Sequence, residues 1–216
     1  TNIALTSTLS GTTFSWTIVE TNASGAMPGS GNTITNTLTA TGNTNGTVVY
    51  TITPTNNGCS GIPIDVTVTV LALPATPTIT TNSPICSGSD AIFTLTGLPN
   101  ATVTYSVNGN PAQTIVLDGS GSGVVTETNA TSNVVLVISN INDGTCNNPN
   151  TTTATITVNS LPNVNSLTAV SPQICTDTSA AFTIVGTPNA TVTYSLNGNA
   201  SQTVVLNASG TATVTQ

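Results

Sequence analysis

Lysine, arginine and histidine are absent from this 216-residue chain, and its seven Asp and Glu residues leave a formal net charge of −7. Without a side-chain cation nothing can neutralise phosphates, so nucleic acid is excluded as a partner. A His-based triad, a Schiff-base or P-loop lysine, an arginine clamp and a His-ligated metal all need residues that do not occur here. The composition therefore reads as that of a non-enzyme. Lys-to-Asn crosslinks and sortase-type Lys linkages fall on the same ground, and trypsin has no bond to cut. Aromatic residues make up only 3% of the chain. No apolar run nears the roughly 18 to 20 residues of a membrane span, the longest being Val134 to Ile138, and no charged n-region marks a signal peptide. The expectation is a mature segment with no membrane span.

What is present is apolar and β-forming. Hydrophobic residues make up 37% of the chain, enough to offset the entropy of ordering it. There are 48 Thr and 26 Asn. Thr, Val and Ile suit a pleated, half-buried surface, whereas Lys, Arg, Glu and Met, which favour helices, are nearly missing. The expected class is all-β.

The sequence also repeats. A shift of 89 positions lays Cys86 on Cys175, Phe93 on Phe182 and Gly97 on Gly186, and makes Pro99 to Ser106 (PNATVTYS) identical to Pro188 to Ser195. The first segment differs but ends with the same grammar: Cys59, alternating Ile64, Val66, Val68 and Val70, then Leu73-Pro74. The middle segment ends with Cys146, then Ala154, Ile156 and Val158, then Leu161-Pro162. These features divide the chain into 1–73, a first β-sandwich; 74–161, a complete immunoglobulin-like repeat; and 162–216, a partial copy of that repeat. Short Pro-marked joints restrict the angle between neighbours, so a semi-rigid row is expected.

Cysteine placement suggests a bridge from Cys86 to Cys146. It would close a loop of about 61 residues worth about 4 kcal/mol on the chain-entropy model. Cys59 and Cys175 would then find partners outside the window, in a longer repetitive parent and an oxidising compartment. The alternative is four free thiols in apolar cores.

Seven strands are expected in the middle domain, near 77–81, 90–96, 101–107, 112–118, 122–128, 132–140 and 151–159. Short strands with regular turn signals fit an immunoglobulin-like sandwich. In the first domain Phe14, Trp16 and Ile18 share a face, which makes Trp16 the expected buried aromatic of a central strand rather than a sugar-stacking platform. Asn108-Gly109 and Asn197-Gly198 carry the signature of two-residue type I′ turns.

Candidate sites are few. Of the acidic residues Glu20, Asp65, Asp90, Asp118, Glu127, Asp143 and Asp177, only Asp177-Thr178-Ser179 approaches an aspartic-protease turn, and it lacks the Gly. Asn140-Ile141-Asn142-Asp143-Gly144 offers oxygens before a Gly but lacks the acidic alternation and bidentate Glu of a calcium loop. A turn ahead of Cys146 is the simpler reading, with calcium as the alternative, and no other cofactor is expected. Asn22, Asn45, Asn100, Asn129, Asn150, Asn189, Asn199 and Asn207 head Asn-x-Ser/Thr sequons, which a chain this rich in Asn and Thr generates by chance. The Thr67/Thr69, Thr102/Thr104 and Thr191/Thr193 pairs read as solvent-facing strand positions.

The first segment, with GTTFSWTIVE at 11–20 and GTVVYTITPTNNGCSGIPIDVTVTV at 46–70, resembles the PKD-like repeats of very large cell-surface proteins of gliding, Bacteroidota-type bacteria. The other two, with ICSGSDAIFTLTG and PNATVTYSVNGN, resemble the immunoglobulin-like repeats that alternate with them. The resemblance implies type IX secretion, display as surface fibres at the bacterial cell surface, and roles in adhesion or gliding; it carries over no catalytic residue.

The reading is therefore a stalk or filament segment of a large repetitive adhesin. Its expected partners are neighbouring repeats of its own chain and lateral copies in a fibre. The alternatives are a self-assembling filament or sheath subunit, a carbohydrate-binding module, and an accessory region of a secreted hydrolase.

Overall fold

A computed structural model describes residues 1–216. Every regular element is a β-strand, and no helix is long and apolar enough to cross a membrane. The chain forms two compact units, Thr1–Thr157 and Val158–Gln216.

The first domain contains β1 (Asn2–Ala4), β2 (Thr13–Thr21), β3 (Ala23–Ser24), β4 (Gly29–Ser30), β5 (Thr33–Thr35), β6 (Thr39–Ala40), β7 (Gly46–Asn56), β8 (Cys59–Ser60) and β9 (Ile64–Val70). Its main sheet runs β4-β2-β7, with β8 and β9 both on the far side of β7. The small ribbons β1-β5 and β3-β6 form separate sheets. Val48, Tyr50 and Ile52 alternate along β7 with half-buried residues, the period-2 pattern of a strand with one face in the core. Ile18, Tyr50 and Val66 form a row across β2, β7 and β9, and fully buried Ile34 from β5 belongs to the same cluster.

Trp16 does share the inward face with Phe14 and Ile18, but it is only half-buried. The fully buried aromatic is Tyr50. The reason is position: β7 lies between two long strands, whereas beyond β2 there is only the two-residue β4. The indole edge therefore stays near the surface and donates from Nε1 to the Met27 carbonyl at 2.9 Å. Tyr50 donates its hydroxyl to Asn36 Oδ1 at 2.8 Å, and burial, reinforced by Glu20, pushes its phenol above the usual value.

The second domain contains β10 (Thr78–Thr81), β11 (Ile85–Cys86), β12 (Ser89–Thr96), β13 (Thr102–Val107), β14 (Gln113–Val116), β15 (Ser122–Ala130), β16 (Val134–Asn142) and β17 (Asn147–Ile156). It is a three-on-four sandwich, with β10-β12-β15 in one layer and β14-β13-β16-β17 in the other. Phe93 and Leu95 from β12 enclose the core with Val103, Tyr105, Leu136 and Ile138 from the opposite sheet. At roughly 1.5–3 kcal/mol for each large apolar side chain buried, this core dominates the domain's stability. Thr residues take the wet faces: Thr67, Thr69, Thr191 and Thr193 are exposed, and Thr102 and Thr104 half-buried. No buried side-chain polar atom lacks a partner.

The second unit contains β18 (Val158–Asn159), β19 (Val164–Ala169), β20 (Ala181–Gly186), β21 (Thr191–Tyr194), β22 (Gln202–Val205) and β23 (Thr211–Thr215). β19-β20-β23 form one sheet and β21-β22 another, enclosing a small core of Ile184, Leu206 and Val214. Both Asn-Gly turns form as the sequence implies. Asn108 and Gly109 have φ of 53° and 74°, Asn197 and Gly198 of 53° and 75°, and the bonds Asn110 N to Val107 O (2.9 Å) and Asn199 N to Leu196 O (3.0 Å) close them.

Candidate functional site

With no Lys, Arg or His in the chain, its specialised features lie in the backbone and the side chains that fasten it. Two devices stand out in the first unit. One is the joint between its two domains. The linker after β9 is held by Ala72 N donating to Asn45 Oδ1 at 2.9 Å, and Pro74 and Pro77 are both buried. A crevice of about 570 Å³ beside it is lined by Leu38, Val70, Leu73, Pro74, Thr76 and Asn148 among others.

The second device is a clamp between the segment entering the second domain and the strand leaving it. Asn148 Nδ2 donates to Pro74 O at 2.8 Å, Asn150 Nδ2 to Thr76 Oγ1 at 2.7 Å, and Thr157 N to Ser83 Oγ at 3.0 Å. All three bonds span 74 residues. The equal offsets show that residues 74–83 and 148–157 run in the same direction and are tied near both ends, while Thr78–Thr81 between the ties pairs with β12. Ile85 N adds a bond to Thr157 O at 3.0 Å. Tension applied at Pro74 and Thr157 pulls the two segments past one another, so these bonds are stressed together along the strand direction rather than peeled one at a time.

The carboxylates are turn fasteners. Asp118 Oδ1 accepts from Ser120 N (2.8 Å), Ser120 Oγ (2.6 Å) and Ser122 N (2.8 Å). These bonds, the Ser120 hydroxyl's foremost, hold its carboxyl below the usual range. In the repeat copy Asn207 Oδ1 accepts from Ser209 N, Ser209 Oγ and Thr211 N at 3.0, 2.7 and 3.0 Å. An amide thus does the carboxylate's work, so the position serves the turn and not its charge.

Asp143 Oδ1 accepts from Thr145 N (2.8 Å) and Cys146 N (2.7 Å), which lowers its pKa, and Asn142 Oδ1 accepts from Gly144 N at 2.5 Å. Within the calcium-like stretch, the Oδ1 atoms of Asn142 and Asp143 thus accept from main-chain N–H groups. Glu20 Oε1 accepts from Ala26 N at 2.7 Å, Asp65 Oδ1 from Thr51 Oγ1 at 2.7 Å, and Asp90 Oδ1 from Asn129 N at 3.0 Å. Asp177 sits at a φ of 62°, and no three acidic or cysteine residues cluster as a metal site would require.

A depressed folded-state pKa contributes stability that is present above the unfolded value and is lost as pH falls through the folded one. Acidification below the ordinary carboxylate range should therefore lower the protection of the Ser120 and Ser122 amides against exchange, relative to their intrinsic rates at each pH. Asp118→Asn should keep the turn, as Asn207 does, and abolish that pH dependence. Hydrogen exchange measured against pH checks both.

The expected Cys86–Cys146 bridge does not form: all four cysteines are free thiols. Cys86 lies beside the C-terminal end of β17, where Ile85 bonds Thr157, whereas Cys146 immediately precedes its N-terminal end. Eleven extended residues separate those levels by about 30 Å or more, against the 7 Å within which a disulfide needs its Cα atoms. Sequence spacing gave the loop length but not the pole of the sandwich on which each cysteine falls. Cys59 and Cys175 are exposed. A thiol reagent under native, non-reducing conditions should label Cys59, Cys86 and Cys175 rapidly and half-buried Cys146 more slowly, and reductant should not lower the melting temperature.

Three sequon asparagines are engaged by this architecture: Asn45 accepts the linker bond, the Nδ2 of Asn150 is a clamp donor, and Asn207 fastens its turn. The clamp escaped the sequence reading because it joins side chains 74 residues apart, and only the polar run Asn147-Asn148-Pro149-Asn150 hinted at it.

The fold is all-β and of the β-sandwich type. Residues 1–74 match the PKD-like domain family. No curated protein matches the sequence. Among solved structures the chain is similar to a Ca²⁺-stabilised adhesin that helps an Antarctic bacterium reach out and bind ice, at 18% identity and TM-score 0.38, over 95% of this chain and 57% of that one. It is also similar to the FN1–FN3 domains of chicken CNTN1 (11%, TM-score 0.32, 93% and 77%). A third is a membrane-anchored protein of Corynebacterium diphtheriae (15%, TM-score 0.38, 90% and 60%). The chain thus spans little more than half the length of the first of these.

Proposed function

We propose that the chain is a tension-resisting spacer of a bacterial cell-surface adhesin, giving reach to an extracellular fibre rather than carrying out a reaction. The observation that carries this reading is the parallel clamp of Pro74, Thr76 and Ser83 against Asn148, Asn150 and Thr157, with its constant offset of 74 residues. Such a geometry resists extension along the chain far better than its few hydrogen bonds, each worth about 0.5–1.5 kcal/mol net, would suggest for equilibrium stability. The PKD-like match at 1–74 and the repetition of the second domain's sequence support the same reading, since stacking copies adds length without new design. The absence of Lys and Arg also denies trypsin-like proteases a cleavage site on an exposed fibre. Export by type IX secretion and a part in gliding belong to this proposal through the sequence resemblance.

Single-molecule pulling tests the reading. The triple variant S83A/N148A/N150A should unfold the second domain at a clearly lower force than the wild type, while its melting temperature falls by only a few degrees. An unfolding force equal to the wild type's would sink the clamp and the mechanical role with it.

A further inference from the structure

We propose that the outer edge of β15 in the second domain is a pairing surface for a second copy of this chain, the two β15 strands meeting antiparallel about a two-fold axis at Val125. This goes beyond the spacer reading and does not depend on the clamp. The sheet concerned, β10-β12-β15, is built within residues 78–130. Of the four edge strands of this sandwich, three are blunted. β17 carries Pro149, β14 is four residues long, and β10, also four residues long, lies inside the segment that the clamp ties to 148–157. β15 runs for nine residues, Ser122–Ala130, with no proline and no lysine, so it lacks the usual devices that stop an edge from recruiting another chain. The irregularity of its ladder falls opposite Ser89 and Ala91, which leaves the stretch from Ser122 to Glu127 regular.

The ladder fixes which main-chain groups of β15 are free. Ile92 O accepts from Asn82 N at 3.3 Å and Ile92 N donates to Asn82 Oδ1 at 2.9 Å, so Ile92 faces β10. Alternation then turns Thr94 and Thr96 towards β10, and Phe93 and Leu95 towards β15. Their partners follow: Val125 and Gly123 bond inward, whereas Ser122, Val124 and Thr126 aim N–H and C=O away from the sheet. Ser122 bears this out, because Asp118 takes its N–H and its C=O from outside, each at 2.8 Å. No strand lies outside Val124 and Thr126, and both are exposed. A second β15 fits this edge in one register. Centred on Val125, it sets Val124 opposite the copy's Thr126 and Thr126 opposite its Val124, and each pair exchanges two main-chain bonds. Glu127, the only charged residue of the strand, then faces the copy's Gly123, so no like charges meet. Centring on Val124 instead would oppose Thr126 to Ser122, whose main-chain groups Asp118 already holds. Four main-chain bonds make a small interface, with an expected dissociation constant of about 0.1–1 mM, which gains strength where several copies act side by side.

Sedimentation equilibrium of the full chain in reductant should show a monomer–dimer equilibrium, with exchange of the Val124 and Thr126 amides slowing as concentration rises. Val124→Pro removes an outward N–H at an edge position, where proline is tolerated, and should abolish the dimer while the chain stays folded. Two double variants at these exposed positions test the register without altering the backbone. V124E/T126E sets carboxylates directly opposite one another in both pairs and should abolish the dimer, whereas V124K/T126E sets opposite charges there and should tighten it. The proposal is overturned by a chain that stays monomeric up to about 1 mM, by a dimer that survives V124E/T126E, by equal behaviour of the two double variants, or by protection confined to another strand. None of these results touches the clamp, whose bonds lie outside β15.

Discussion

Replacing Phe93 by Ala should destabilise the second domain by about 3–5 kcal/mol, the range for truncating a fully buried aromatic. Phe93 is wholly inaccessible, stands in the central strand of its sheet, and pairs with Thr81 on one side and Val125 on the other, so little can collapse into the space it leaves. Its counterpart Phe182 provides the control. It packs only partly buried against the core of Ile184, Leu206 and Val214, beside an open groove, so Phe182→Ala should cost the second unit clearly less. Chemical denaturation followed by a probe in each unit separates the two effects. Equal costs would show that the two cores are closed alike, contrary to the structure.

Gly121→Ala should be comparably damaging for a different reason. Gly121 has a φ of +82°, and a Cβ built there would lie 2.1 Å from the main-chain oxygen of Gly97. The positive φ alone costs an L-residue roughly 1–2 kcal/mol. The clash cannot be relieved by rotating a side chain, because the obstacle is backbone in the adjacent turn, where Gly97 N also bonds Gly121 O at 2.8 Å. A total loss of at least about 3 kcal/mol is expected. Gly210→Ala should act in the same way on the second unit, since Gly210 has a φ of +76° and meets Gly186 O at 2.2 Å. Thermal melts of the two variants check this, and a wild-type melting temperature for either would contradict the turn geometry.

Much of the fold was legible because its signals are local. Alternation in Ile92–Thr96 and Val103–Val107 placed β12 and β13 within a residue or two, and Asn-Gly dictated both type I′ turns. The start of β17 was less legible: the alternating run suggested 151, whereas pairing begins at Asn147. Pro149 disguised it, yet a proline is tolerated there because β17 is the sheet's edge strand and Pro149 falls at the irregularity opposite Asn140. The short ribbons of the first domain, such as β3-β6, carry two residues each and too little periodicity to read. Tyr50 outranked Trp16 as the buried aromatic because burial follows a strand's place in the sheet, which composition does not encode. The clamp and the opposite poles of Cys86 and Cys146 both depend on which strand ends meet, a property of topology rather than of spacing.

The mechanical role depends on the direction of the applied force, and that gives its most direct test. Pulled through attachment points at Pro74 and Thr157, the second domain should resist as a unit and then extend in one step, releasing its residues at about 3.3–3.6 Å each, with reductant making no difference. Pulled instead through its Asn108-Gly109 turn and Thr157, it should yield at a several-fold lower force, because the clamp bonds are then bypassed. Equal forces in the two directions, or a featureless extension along the chain, would contradict the account.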